Sequence, residues 1–317
     1  MKILITDDFY LPILDEFPKN CEVDRKPKIT YEELKEEIKD YDVLIISTRI
    51  KITKEILTNS KNLKFIIRLG IGVDHIDLTE CKKRKIIVSN TPNSNVASVV
   101  ELVFGQIIRE YRKLEIAHEN LFNGNFRKDY PQGKELKNKT IGIIGVGRIG
   151  SSIANVAQAF GMKTIGFDPY LSIKKRKKAK IDLWLPISEL LKNSDIVTLH
   201  VPSTEETLYL VNSDFLSLMK KDSILINCSR GKVVNFKEVV DFSKKHIISK
   251  FIFDVFEEEP VRLSLEEDIA RRFFFSPHIG ALTEESLYNR SKEALELLYE
   301  FLEEKKIHGK INYKKGY

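Results

Sequence analysis

Cysteine, tryptophan and methionine are scarce in this 317-residue chain, with three Cys, one Trp and three Met. Cys21, Cys81 and Cys228 lie far apart and are odd in number. They form no CxxC pair and match no histidine spacing, which argues against a disulfide framework or structural zinc and for a reducing, cytoplasmic setting. No apolar run approaches the roughly 18 residues that span a bilayer. The opening MKILITDDFY has neither a long apolar core nor a small-residue cleavage site, so no secretory signal is expected. A Pro/Ser-rich linker and a low-complexity tail are also lacking. Histidine is rare too: a histidine that moves protons must come from His75, His118, His200, His246, His278 and His308.

What is present is a globular balance of 42% hydrophobic and 31% charged residues, enough for one large or two ordinary domains. Much of the net charge of +6 sits in KKRKKAK, Lys174 to Lys180. That run has no interleaved aromatics and no accompanying nucleic-acid-binding signature, so it reads as a solvated surface segment, with no nucleic-acid or membrane partner expected.

Short apolar runs rich in Ile and Val alternate with amphipathic stretches. Strands are expected at 2–6, 43–47, 64–69, 86–90, 140–145, 164–168, 196–200, 223–229, 250–255 and 273–276. The runs rarely alternate with polar residues, as in strands buried on both faces of a parallel sheet. Segments such as YEELKEEIKD and PISELLKNSD lie between them as helices, giving an α/β architecture. Two long helices break the rhythm. One starts near Ser94, with Val96, Val100, Val103, Ile107, Tyr111 and Leu114 on one stripe; the other starts near Thr283, with Leu287, Ala294, Leu298 and Phe301. Each follows a Pro- or Gly-bearing stretch where the chain can cross between domains. The expected organisation is two doubly wound, Rossmann/flavodoxin-like parallel-sheet domains. Residues 1–92 and 283–317 form one, and 93–282 form a second inserted within it.

The most specific local signal is TIGIIGVGRIGSSIANVAQAFGMKTIGFDPY. Gly145, Gly147 and Gly150 make a G-x-G-x-x-G between a strand and a helix, and Asp168 ends the next strand. The glycines permit a tight turn, close approach of a pyrophosphate and close helix–strand packing, while the helix N-terminus offers N–H groups to the anion. Asp168 can accept hydrogen bonds from ribose hydroxyls and would repel a 2′-phosphate, favouring NAD over NADP. Three polar residues follow later strands: Arg230 in NCSRG, Glu259 in DVFEEEP and His278 in SPHIGA. Oxidation of a 2-hydroxy acid needs a base for the hydroxyl proton and a cation for the carboxylate. A histidine oriented by a carboxylate supplies the first and an arginine fork the second.

With these motifs the chain resembles the D-isomer-specific 2-hydroxy acid dehydrogenase family over essentially its whole length. RLGIGVDHID and NTPNSNVASVVEL match as well. The resemblance implies that Arg230 binds substrate, His278 is the acid/base and Glu259, before the proline, is its partner. It implies NAD contacts from Arg148, Ile149, Val201, Cys228, Ser229, Asp254 and Gly280 besides the glycines and Asp168. It also implies a substrate-binding role for the discontinuous domain, with backbone N–H groups of Gly70, Gly72 and Val73 on the substrate carboxylate. A homodimer through the helix after Ser94 is implied too.

Within the family, FGMKTIGFDP, INCSRG, NTPNSN and PHIGALTEES are most similar to the D-3-phosphoglycerate dehydrogenase subgroup. That likeness implies oxidation of 3-phosphoglycerate at the first step of serine synthesis. Arg49, Arg68 and Lys128 are the cations available for the substrate phosphate. Ser47, Ile71 and His75 depart from the subgroup's pattern, which leaves a glyoxylate or hydroxypyruvate reductase open. An NAD-sensing regulatory protein is a more distant alternative. A chain stopping at Tyr317 leads one to expect no serine-sensing regulatory domain.

Overall fold

In the computed structural model the described residues are 1–126, 130–245 and 250–313. The chain divides into two compact units, Met1–Asn95 with Leu282–Tyr317, and Val96–Ala281.

The first unit holds a five-stranded sheet of β1 (Lys2–Ile5), β2 (Glu22–Arg25), β3 (Val43–Ile46), β4 (Phe65–Arg68) and β5 (Ile87–Asn90), in the order β2-β1-β3-β4-β5, every pair parallel. All four residues of β3, VLII, are buried, because the sheet is covered on both faces. One face packs against Leu34, Ile56, Leu57 and Cys81; the other packs against Ala294, Leu295, Leu297 and Leu298 of the helix Glu284–Leu302. That helix starts where Thr283, its N-cap, accepts the Ser286 N–H at 3.1 Å.

The second unit holds a seven-stranded parallel sheet. Its strands are β6 (Thr140–Ile144), β7 (Lys163–Phe167), β8 (Leu183–Trp184), β9 (Ile196–Leu199), β10 (Ile224–Asn227), β11 (Lys250–Phe253) and β12 (Phe273–Phe275). Their order is β12-β11-β10-β9-β6-β7-β8. Two doubly wound parallel sheets are thus present, as the alternating pattern led us to expect. No described helix is long and apolar enough to cross a membrane.

Three local features differ from the sequence reading. β2 and β8 were not expected; EVDR and LW lack an apolar run, and each strand sits at the edge of its sheet. The helix after Ser94 runs Val96–Tyr111 and ends there, because Lys113 turns to φ +53 before a separate helix Leu114–Phe122. Leu114, placed on the buried stripe by its spacing, is therefore exposed.

Candidate active site

Strand order fixes where the second sheet can open. β7 lies on one side of β6 and β9 on the other, and in open parallel sheets ligands bind at the carboxyl ends of strands at such a switch. Gly145 follows β6 with φ +88. A Cβ there would lie 2.5 Å from the His200 carbonyl oxygen and 2.8 Å from Val201 Cγ1. A Cβ on Gly150 would lie 2.2 Å from the Gly145 carbonyl oxygen, whereas one on Gly147 would meet nothing within 4 Å. Two glycines thus close the turn and the third opens outward. Gly147 is the N-cap of the helix Arg148–Ala159, with no side-chain cap and no acid in the first turn. Its leading N–H groups and positive dipole end are left for an anion. Arg148 is exposed there and Ile149 packs partly into the core.

Asp168, just past β7, accepts the Val146 N–H at 3.0 Å on Oδ2 and the Tyr170 N–H at 3.0 Å on Oδ1. The acid is tied to the glycine turn, with lone pairs to spare for hydroxyl donors. Arg176, from the basic run, donates to the Asp168 carbonyl at 2.8 Å and stacks 5.1 Å over Trp184, so it braces this loop while its lysine neighbours are solvated. An uncapped helix N-terminus, an outward-opening glycine and a fixed carboxylate together fit a dinucleotide.

Three neighbouring strands carry the other polar groups. After β10, Asn227 organises the turn. Its Oδ1 accepts the Ser229 N–H and hydroxyl at 3.0 and 2.7 Å, and its Nδ2 donates to the Arg230 carbonyl at 2.9 Å. Arg230 Nη1 donates to the Ser229 carbonyl at 2.7 Å. Burial pushes the Cys228 thiol well above its ordinary pKa, so it stays protonated. After β11, Asp254 is buried. Its carboxylate accepts the Ser276 hydroxyl at 2.5 Å, the Ile279 N–H at 2.9 Å and the Gly280 N–H at 2.9 Å, while its carbonyl accepts the His278 N–H at 2.8 Å. Asp254 therefore builds the turn after β12 that presents His278. Both of its oxygens are engaged within the protein.

His278 sits at φ +54, an uncommon backbone state for a non-glycine residue that this net of bonds sustains. Its Nδ1 is 2.7 Å from Glu259 Oε2, and Glu259 Oε1 accepts the Phe256 N–H at 3.0 Å. With Nδ1–H donated to the carboxylate, the neutral ring presents Nε2 as an acceptor, and Nε2 has no hydrogen-bond partner among the described residues. The other histidine at a strand end, His200, is half-buried, with Nε2 on Thr198 Oγ1 at 2.8 Å and Nδ1 enclosed, and desolvation pushes it down to about 3. It stays neutral and enclosed. His308 is taken up by Glu300 at 2.8 Å.

Sequence reasoning missed Asn227, Gly231, Phe256 and Ser276. Asn227, a polar residue inside the apolar run SILINCS, was the one visible signal. In the first unit two expected substrate contacts carry bonds within the protein. The Gly70 N–H, expected on a substrate carboxylate, donates to Thr91 Oγ1 at 2.6 Å and its single hydrogen is used; Gly72 and Val73 amides have no partner among the described residues. Arg49, expected on a substrate phosphate, donates to the Ile29 and Thr6 carbonyls at 2.7 and 2.8 Å beside the Asp7 carboxylate, and so acts as a clamp between loops. Arg68 Nη1 donates to the Leu69 carbonyl at 2.7 Å. Lys128 lies outside the described residues.

Residues 104–280 match the family described as D-isomer specific 2-hydroxyacid dehydrogenase, NAD binding domain. The chain is 37% identical over 290 residues to a D-3-phosphoglycerate dehydrogenase of Methanocaldococcus jannaschii, covering 90% of this chain and 54% of that protein. It spans about half the length of several such relatives. A hydroxypyruvate reductase of Thermotoga maritima is 36% identical over 281 residues, 86% of this chain and 88% of that one. The NAD-bound 3-phosphoglycerate dehydrogenase of Entamoeba histolytica superposes with a TM-score of 0.83 at 27% identity, covering 98% of each chain. On these matches and the architecture above, the chain belongs to the D-isomer specific 2-hydroxyacid dehydrogenase family.

Proposed function

We propose that the protein interconverts a D-2-hydroxy acid and its 2-oxo acid with NAD, and that His278, Glu259 and Arg230 carry the reaction. The observation that supports this most is the 2.7 Å pairing of His278 Nδ1 with Glu259, which leaves Nε2 for a proton. Bound NAD supplies the hydride acceptor, and NADH the donor in reverse. In oxidation His278 Nε2 takes the hydroxyl proton, and Glu259 holds the ring in that tautomer and stabilises the imidazolium that forms. In reduction the same nitrogen returns the proton. Arg230 pairs with the substrate's carboxylate and carbonyl. The turn of Gly145, Gly147 and Gly150 and the adjoining Arg148 and Ile149 receive the pyrophosphate, Asp168 the ribose, and Val201, Cys228, Ser229 and Gly280 border the cofactor. Asp254, which the resemblance places on NAD, keeps that contact only through lone pairs its turn leaves over. For the first unit we propose substrate binding, through the Gly72 and Val73 amides.

For the substrate, the likeness to phosphoglycerate dehydrogenases favours oxidation of D-3-phosphoglycerate to 3-phosphohydroxypyruvate, in the cytoplasm and on the path to serine. A second reading, hydroxypyruvate or glyoxylate reduction, draws support from Arg49, whose hydrogen bonds and acidic neighbour suit a phosphate poorly. Reduction rates with phosphohydroxypyruvate, hydroxypyruvate and glyoxylate, each with NADH and NADPH, separate the two. The first reading expects a preference of ~100-fold or more in kcat/KM for the phosphorylated acid, about 2.7 kcal/mol. Equal rates leave the general reductase standing. Faster turnover with NADPH would contradict the assignment of Asp168 to the ribose.

The helix Leu114–Phe122 buries none of its residues, and Leu121, Phe122 and nearby Phe126 are 60%, 80% and 77% exposed. Such an apolar cluster marks an interface, and we assign it to a second copy of the chain. Sedimentation should give a dimer, with L121E/F122E sedimenting as a monomer; a monomeric parent protein contradicts the assignment.

A further inference from the structure

The loop that carries Glu259 meets the protein at points the catalytic roles above do not explain. Tyr209 donates its phenolic hydrogen to Glu257 Oε1, two residues before Glu259. Its backbone stands at φ +51, a region side chains other than glycine seldom adopt. It is kept there by its own N–H on the Lys232 carbonyl at 2.9 Å and by the Val211 N–H on the Val233 carbonyl at 3.0 Å. Tyr209 therefore rests on the turn that carries Arg230 and grips the loop that carries Glu259. Next to the grip, Gly231 touches the Phe256–Glu257 peptide, Phe256 packs its ring 5.7 Å from Phe275, and the Phe256 N–H holds Glu259 Oε1.

We propose that Tyr209 is a positioning residue: its bond to Glu257 latches the Phe256–Glu259 loop onto the Arg230 turn and so sets the distance from the Glu259 carboxylate to His278 Nδ1. The latch rests on the reading of His278 and Glu259 as the acid/base pair and names what fixes their geometry. Catalytic efficiency is sensitive to shifts of about 1 Å in such pairs, and an exposed loop of three successive glutamates has no apolar anchor of its own beyond Phe256. A latch made by one hydroxyl leaves NAD binding untouched, because the Tyr209 hydrogen bonds go to Glu257 and Lys232 and none to the glycine turn.

The test is steady-state kinetics on the full-length chain for Tyr209→Phe, Glu257→Ala, Glu257→Gln, the double variant Y209F/E257A, and His278→Ala as reference. The latch predicts kcat ~5-fold lower in Tyr209→Phe and in Glu257→Ala, the scale of one lost hydrogen bond, with KM for NAD and the unfolding temperature unchanged. The double variant should be no worse than either single one. Glu257→Gln, whose amide oxygen still accepts, should stay near the parent protein. Additive losses in the double variant, or Tyr209→Phe within 2-fold of the parent, overturn the latch. If His278→Ala is inactive in that case, the proposed function survives without it. If His278→Ala is fully active, the acid/base reading fails and takes the latch with it.

Discussion

Gly231→Ala should fold with reduced stability and lose about 10²-fold in kcat. A Cβ at this position would lie 1.8 Å from the Phe256 carbonyl carbon, 1.9 Å from its oxygen and 2.3 Å from the Glu257 nitrogen. These are backbone atoms, so no rotamer change relieves the overlap; the Phe256–Glu259 loop must move away from the Arg230 turn. Overpacking of this kind costs ~1–3 kcal/mol, which in a chain of this size lowers the unfolding temperature by several degrees. The larger consequence is positional. Displacing the loop by about 1 Å separates Glu259 from His278, and a misplacement of that size costs on the order of 10² in rate. Thermal unfolding and kcat measured on the same preparation check both halves. Near-parental activity would mean that the contact between the two turns has no part in placing Glu259.

His278→Ala should lower kcat by roughly 10²- to 10⁴-fold, the range a positioned general acid/base supplies, or about 2.7–5.5 kcal/mol in the barrier. Glu259→Gln should be less damaging. The proton carrier remains, and what is lost is the negative charge that orients the ring and stabilises the imidazolium. The order His278→Ala below Glu259→Gln below the parent follows from the proposed roles: Glu259 bonds Nδ1, which leaves Nε2 to carry the proton. Steady-state rates in both directions test the ranking. The reverse order would assign the proton transfer to the carboxylate.

The parts of this protein that could be read from its sequence are those whose cause is local. A strand such as VLII is apolar throughout because both sheet faces are covered, so its run stands out without alternation. β2 and β8 lie at sheet edges, where backbone pairing holds residues that carry no apolar run, and so they left no pattern. Nor could a 3.6-residue stripe reveal the left-handed Lys113 that ends the helix at Tyr111, since apolar spacing continues across the break. Glu259 and His278 were legible because each ends or follows a strand of one sheet, so the topology that spacing implied also brought them together. The structural bonds at Gly70 and Arg49 were invisible in the sequence for one cause. Their hydrogen-bond partners, Thr91 for one and Thr6 and Ile29 for the other, are 20 or more residues away, and a committed donor looks the same in sequence as a free one. The support at Gly231 was hidden in the same way, by a contact between turns that only the folded sheet makes, whereas Asn227 bonds within its own turn.

The most direct test of the central claim is a single turnover: NADH pre-bound to the His278→Ala protein, mixed with saturating 2-oxo acid, and followed by loss of NADH fluorescence. The account predicts NADH affinity within ~2-fold of the parent and a hydride-transfer rate at least ~10²-fold slower, because the glycine turn is intact while the proton donor is gone. An unchanged transfer rate from the NADH complex would contradict it and remove His278 from the chemistry.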